Sequence, residues 1–347
     1  MNQINLNQIN NDLKKTCPEK DQYYFGHGKL LLTGEYFVLD GALSLALPTK
    51  VGQSLSVKYS PSFSPTLSWK SYDVNGNLWF DSSFEFWHFK CLDENPSEEA
   101  LSLQLILQQV RKQNSHFLRD NVDVKVETRL GFPLTWGLGS SSSLIYNIAQ
   151  WAYISPFELL FKTHGGSGYD IACAQSDGPI AYKKNSSGPN WSPIYFSPSF
   201  KNNLYFVYLG KKQNSREAIR EYAKKRPVDS SLIAKITELT QEFLNAQTLK
   251  QFQSLIYAHE EIIAKTLDLP MVKESQFSDF PGAIKSLGAW GGDFIMVATE
   301  KDLSFVKKYF TEKGLDTVYN YSDLISDPVE TESKDSMKMG FSNHLLH

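Results

Sequence analysis

The chain has 347 residues, a net charge of −3, and ordinary hydrophobic (41%) and charged (21%) fractions. That length supports two lobes with a full core, and the charge balance argues against a nucleic-acid binder working through a basic surface. No apolar run reaches membrane-spanning length, the Asn-rich start lacks a signal-peptide core, and the scattered Cys17, Cys91 and Cys173 read as free thiols.

In chain order, residues 1–20 read as a polar, flexible tail of a cytoplasmic protein. Tyr23 to Val38, YYFGHGKLLLTGEYFV, has β-prone runs separated by Gly26-His27-Gly28-Lys29 and then by Thr33-Gly34-Glu35, and predicts a strand, a tight turn and a second strand. Lys29 and Glu35 are charges among buried-looking neighbours, or else turn residues on a solvated rim. Ala42 to Pro48 and Val51 to Tyr59 predict two further strands, the second by its alternation. Residues 60–95 predict short strands and loops that form one side of a pocket. Ser97-Glu98-Glu99 opens a helix that runs to Gln113. Asn121 to Thr128 alternates strictly and predicts a strand.

The chain is organised around Pro133 to Trp151, PLTWGLGSSSSLIYNIAQW. The turn Gly137-Leu138-Gly139 runs into Ser140, Ser141, Ser142 and Ser143, and an apolar helix follows. Such a helix points its unpaired N–H groups back at the turn, where donors and dipole both favour an anion. The hydroxyls add donors and a metal-ligand candidate. Gly-Leu-Gly before serines is also a good loop and N-cap, so the turn alone leaves both readings open.

Pro156 to Thr163 predicts a short helix. Gly165, Gly166 and Gly168 then make a turn before Asp170. Asp170 is either a helix-start carboxylate stabilised by the dipole or a general base near a substrate hydroxyl. Ile180 to Lys183 and Leu204 to Leu209 predict strands. Helices follow at about 215–225, 230–246 and 249–267. Pro281 to Thr299 predicts two β-prone runs around a turn from Gly288 to Gly292, then a helix over 302–313 and a strand over 317–320. From Ser326 the chain is polar and weakly patterned. A strand-rich half followed by a helix-rich half predicts two α+β lobes.

Three glycine-rich segments in this order resemble the GHMP small-molecule kinases, named for galactokinase, homoserine kinase, mevalonate kinase and phosphomevalonate kinase. GHGKLLLTGEYFVLDGALSLALP matches the first motif, with His27 at a usual proline. Pro133 to Ser141 matches the second without a gap, Ser167-Gly168-Tyr169-Asp170 matches Ser-Gly-x-Asp, and KSLGAWGGD matches the third, with Trp290 at a usual glycine. The resemblance spans about Tyr23 to Tyr321.

The resemblance implies an α+β, two-lobed GHMP kinase fold. Its N-terminal lobe (21–200) would be like the second domain of ribosomal protein S5, its C-terminal lobe (201–325) ferredoxin-like, and 326–347 a peripheral tail. It also implies ATP, Mg²⁺, a small-molecule acceptor, and a monomer or homodimer with no nucleic-acid or membrane partner. Pro133, Gly137, Leu138, Gly139, Ser140, Ser141 and Ser142 would bind ATP, and Ser141 would ligate magnesium. Asp170 would take the acceptor proton, with Lys29 beside the transferred phosphate. Glu35, Tyr36, Ser167, Gly168, Gly288, Ala289 and Gly291 would meet the acceptor. Glu158 is the candidate second magnesium ligand, although Leu159 holds the ungapped position; the alternative is a solvated first-turn glutamate. The Gly-Tyr-Asp-Ile-Ala segment and the Gly-Gly-Asp ending at Asp293 point to phosphomevalonate kinases, Gly-Glu-Tyr equally to mevalonate kinases. Lys183, Lys184, Lys211 and Lys212 are cations for a phosphorylated acceptor, or surface lysines.

Overall fold

The structure, a computed structural model, describes residues 22–211, 215–224, 229–288, 290 and 292–327, with Leu6 and Ile9. The first sheet has seven strands: β1 (Gln22–Leu31), β2 (Ser44–Pro61), β3 (Thr66–Tyr72), β4 (Leu78–Glu85), β5 (Val122–Leu130), β6 (Ile180–Asn185) and β7 (Gly188–Pro193). Their order is β4-β3-β5-β2-β6-β7, with β1 also paired to β2. Only the β3–β5 pair is parallel among these pairings.

Three expectations are corrected here. Gly26 to Lys29 is not a turn; β1 runs straight through it, with a register shift between His27 and Gly28. Glycines permit this close pairing: a β-carbon on Gly52 of β2 would lie 2.1 Å from the Gly26 carbonyl oxygen. The expected second strand is instead a turn and a short 3-10 helix, Phe37–Asp40. The two strands expected after it are one, because β2 pairs with β1, β5 and β6 along its 18 residues.

Four helices complete the first half: α1 (Glu98–Gln113), α2 (Ser140–Trp151), α3 (Pro156–Thr163) and α4 (Tyr169–Ala174). Ser97 caps α1 and Ser155 caps α3, each accepting an N–H from the first turn. The apolar faces of α1, α2 and α3 bury Leu103, Leu107, Ile145, Ile148 and Leu159 against Leu55, Trp69 and Val126 of the sheet.

The second half contains β8 (Leu204–Tyr208), α5 (Ser215–Ala223), α6 (Ser230–Asn245), α7 (Leu249–Leu267), α8 (Val272–Gln276), β9 (Ala283–Leu287), β10 (Phe294–Ala298), α9 (Leu303–Glu312), β11 (Val318–Asn320) and α10 (Tyr321–Leu324). Its four antiparallel strands lie in the order β11-β8-β10-β9. Numbered within this half that order is 4-1-3-2, the β-α-β-β-α-β arrangement of ferredoxin-like folds.

The two halves share one core. Leu30, Leu45 and Leu47 of the first pack with Phe206, Phe252 and Met296 of the second, and Leu6 is buried in the same cluster. The rest of the expected N-terminal tail, apart from Ile9, and residues 328–347 lie outside the described residues. Ser326 is not loose: its N–H donates to the Pro48 carbonyl. No helix among the described residues is long and apolar enough to cross a membrane. Cys91 and Cys173 are buried free thiols.

Candidate functional site

The serine turn is shaped by two left-handed glycines, Gly137 (φ 65°) and Gly139 (φ 89°), a region that side-chain-bearing residues rarely adopt. Gly139 sits at the N-cap of α2 and no side chain caps the helix. The first N–H groups of α2 are therefore open to a ligand. Two serines serve the scaffold. Buried Ser142 donates to the Gly139 carbonyl at 2.9 Å, and Ser143 donates to Gln53 Oε1 of β2 at 3.0 Å. Asn147 also reaches β2, donating to the Gln53 carbonyl at 2.8 Å. Ser141 is exposed, and Ser140 and Ser141 line a cavity of about 280 Å³. Its apolar walls include Trp69, Trp79, Phe80, Leu103 and Leu144; its polar edge includes Glu98, Glu99, Ser102 and His164.

Lys29 of β1 lies on the other side of the turn. Its backbone N–H donates to the Leu138 carbonyl and its Nζ to the Gly137 carbonyl, both at 2.9 Å. The ammonium also stands 5.8 Å above the Tyr169 ring. Asp170, next in sequence, accepts the Ile171 N–H at 3.2 Å. Burial pushes its carboxyl above the ordinary range; the Lys29 charge, backbone N–H groups and the Ser142 hydroxyl pull it back. A partly desolvated carboxyl beside an ammonium suits a general base that works near neutral pH.

A second, smaller cavity of about 70 Å³ opens at this point, lined by Lys29, Glu35, Tyr36, Ser167, Tyr169 and Gly288 among others. Leu31, Val38, Leu39, Ala218 and Ile219 supply its apolar wall, the last two from α5. Gly168 has φ 95° and no room for a side chain, because a β-carbon there would meet the Tyr182 hydroxyl oxygen at 2.9 Å. That hydroxyl bonds the Ser167 carbonyl and holds the turn before α4. Ser140 and Ser141 thus line the larger cavity, and Lys29, Glu35, Tyr36, Ser167 and Gly288 the smaller; Lys29 bonds the Gly137 and Leu138 carbonyls, and its charge acts on Asp170. Pro133 stands behind them, at the entry to a 3-10 turn, Leu134–Trp136.

Glu158 stands apart from these. Glu158 is half-exposed on α3 and pairs with Lys162 one turn later at 2.5 Å, while Leu159 faces the core. It lines neither cavity, so the solvated first-turn reading is the one its surroundings support. Ala289 and Gly291 lie outside the described residues, as does Lys212. Lys183, Lys184 and Lys211 do not line the smaller cavity.

Sequence reading left several residues without a role. Trp290 is buried, its indole N–H donates to the Pro270 carbonyl at 3.1 Å, and its backbone N–H donates to the Tyr36 hydroxyl at 2.9 Å. Asp293 packs against Gly137. Fully buried Lys285 of β9 donates to Glu35 Oε1 at 2.5 Å and to Glu260 Oε1 of α7 at 2.9 Å. Burial works against the Lys285 charge, but Glu260 and Glu35 outweigh it and raise its pKa. Burial pushes the Glu35 carboxyl up to about 7, against the pull of Lys285 and with a push from Glu260. The cluster sets one ammonium against two carboxyl groups: Lys285 stays charged, and burial holds the Glu35 carboxyl above the ordinary range. A signal for this cluster was present, since His259 and Glu260 fall on the core-facing stripe of α7 with Phe252, Leu255, Ile256 and Ile263.

No protein-family model matches the chain, and no curated protein matches it. Solved structures do share its fold. The L. major mevalonate kinase in complex with R-mevalonate is 16% identical, with a TM-score of 0.64 over 90% of this chain and 98% of that one. The Streptococcus pneumoniae phosphomevalonate kinase in complex with phosphomevalonate and AMPPNP is also 16% identical, with a TM-score of 0.64 over 86% and 99%. The Lactococcus lactis galactokinase complexed with galactose is 13% identical, with a TM-score of 0.62 over 93% and 98%. The chain has the α+β fold of these GHMP kinases, as its glycine-rich segments led us to expect.

Proposed function

We propose that this chain is an ATP- and magnesium-dependent kinase that transfers the γ-phosphoryl group to a mevalonate-type acceptor, mevalonate or phosphomevalonate. One observation carries the reading: Lys29 reaches the serine turn through the Gly137 carbonyl, and the Lys29 charge and the Ser142 hydroxyl at the uncapped start of α2 both act on Asp170. The larger cavity has apolar walls and a polar edge suited to a nucleotide base, next to N–H groups suited to its phosphates. The smaller one lies against Lys29 and Tyr169 and fits a small acceptor.

In this mechanism the α2 N–H groups and the Lys29 ammonium hold the phosphates and offset their charge, the main demand of phosphoryl transfer. Asp170 accepts the acceptor's proton. The exposed Ser141 hydroxyl is a hard oxygen donor beside the phosphate site. Together with phosphate oxygens and water it would offer magnesium the hard oxygen ligands it prefers. Bound magnesium would neutralise charge on the phosphates. Among the described residues no group of three or more His, Cys, Asp and Glu side chains could hold a metal.

Similarity to enzymes complexed with R-mevalonate, phosphomevalonate and galactose supports a kinase of small molecules; the mevalonate-type acceptor is the proposal that the assay below tests. A second reading, a binding protein that has lost catalytic power, draws on Glu158 standing away from both cavities. ADP release from Mg-ATP, measured against mevalonate, phosphomevalonate, diphosphomevalonate, galactose and homoserine, separates the two. Turnover of one of the first two supports the proposal. Galactose or homoserine turnover moves the acceptor to a sugar or another hydroxyl compound. Silence across the panel with ATP still bound favours the binding protein.

A further inference from the structure

Three consecutive residues after β1 are each held by a different segment of the second half. The Gly34 N–H donates to His259 Nε2 of α7 at 3.0 Å. Glu35 accepts from Lys285 of β9 at 2.5 Å. The Tyr36 hydroxyl accepts the Trp290 N–H at 2.9 Å. Glu35 and Tyr36 also line the smaller cavity, with Gly288 from the same loop as Trp290.

The turn is closed locally by the Phe37 N–H donating to the Glu35 carbonyl at 2.7 Å and the Val38 N–H to the Gly34 carbonyl at 2.8 Å, yet its backbone is strained. Tyr36 has φ 62° and ψ −46°, a conformation that side-chain-bearing residues rarely adopt. Such strain persists only where the surroundings enforce it. The enforcing group is a buried ion cluster: Glu35, His259, Glu260 and Lys285 are each at most 2% exposed. Lys285 is further anchored by the Ser286 carbonyl at 3.0 Å and Glu260 at 2.9 Å. A buried ammonium is tolerated only when paired, so its position is tightly determined.

We infer that Lys285 and Glu260 are positioning residues for acceptor binding: from the second half of the chain they lock the Gly34–Tyr36 turn, which shapes the acceptor cavity and seats the Trp290 loop beside it. This inference rests on the kinase reading for its acceptor. Neither residue touches the reacting atoms; both act through Glu35.

The test uses the full chain with Lys285→Met and Glu260→Gln, the second keeping the shape of the side chain should the first not fold. Two readouts are taken: KM for the acceptor the wild type phosphorylates against KM for ATP, and amide hydrogen exchange. Lys285→Met is expected to raise the acceptor KM about tenfold, the equivalent of ~1.4 kcal/mol, with the ATP KM within about twofold. The Gly34 and Trp290 amides should exchange about tenfold faster or more, while the Ser143 amide, bonded to the Gly139 carbonyl, is unchanged. Glu260→Gln should give the same pattern at about threefold in each, since a neutral acceptor weakens a charge-assisted bond without abolishing it. Equal rises in both KM values, or unchanged exchange at Gly34 and Trp290 in the variant that folds, would overturn the inference. A wild type silent toward every acceptor removes the kinase reading and the acceptor role with it. The exchange result separately decides whether the cluster locks the turn.

Discussion

The Asp293 carboxylate occupies the space that a β-carbon on Gly137 would need, its Oδ2 lying 2.1 Å from that point. The β9–β10 turn therefore interlocks with the serine turn, and a glycine is required there both for space and for φ 65°. Gly137→Ala is expected to weaken nucleotide binding about tenfold, ~1.4 kcal/mol, as measured by calorimetric titration. Gly137→Ala combined with Asp293→Ala should recover part of that loss. Contacting residues show coupling energies of about 0.5–3 kcal/mol. Strictly additive effects would show that the two turns are not coupled.

Asp170→Asn should retain ATP affinity and lose turnover by roughly 10²- to 10⁴-fold, the usual scale of a general base. Lys29→Met tests its electrostatic partner. With the ammonium gone, burial acts on Asp170 without its main counterweight, so its pKa rises further. The acidic limb of the kcat/KM profile should move to higher pH. An unmoved limb would show that Lys29 does not set the Asp170 charge.

Stability should have two opposing pH components from the buried cluster. Glu35 has a folded pKa raised from 4.5 to about 7. Its contribution is fully present below about pH 4.5 and is lost as pH rises toward 7. Burial, reinforced by Lys285, holds His259 well below its ordinary 6.5. Its contribution is present above that value and is lost as pH falls below it. Glu35→Gln should flatten the decline of Tm between about pH 5 and 8. His259→Gln should reduce the loss on the acid side. Tm measured across pH 4–9 checks both, and a profile unchanged by either substitution would remove the cluster as its source.

Trp290 acts as an anchor for its loop. Trp290→Phe keeps a buried ring and loses the bond to Pro270, at about 1 kcal/mol. Trp290→Gly restores the glycine usual in similar chains but removes the ring, at about 3–5 kcal/mol. Chemical denaturation should rank wild type above Phe above Gly.

Glu158→Gln should leave the magnesium requirement of turnover unchanged. Its half-exposed pair with Lys162 should be worth under about 0.5 kcal/mol. A raised magnesium requirement would return Glu158 to the metal site.

Local chemistry made much of this molecule legible. The capped helices α1 and α3 follow from Ser97 and Ser155, α7 from its apolar stripe, and the start of α2 from Gly139 before the serines. These signals depend on neighbours within a few residues, so they survive without the fold. The serine turn, Lys29 and Asp170 were visible for the same reason, as short motifs.

What depended on distant partners was decided only by tertiary structure. Gly26 to Lys29 looked like a turn because glycines bend free chains, yet pairing with β2 keeps it extended. Glu158 and Leu159 are neighbours whose roles are divided by which helix face meets the core. The Glu35–Lys285 pair joins residues 250 apart in sequence. No local pattern encodes such a pair, because its attraction becomes strong only when folding removes both charges from water. The sequence by itself determined the helix caps, the helix stripes and the serine turn; the packing of one half on the other decided how the charged side chains around them are held, because burial and long-range pairing exist only in the folded chain.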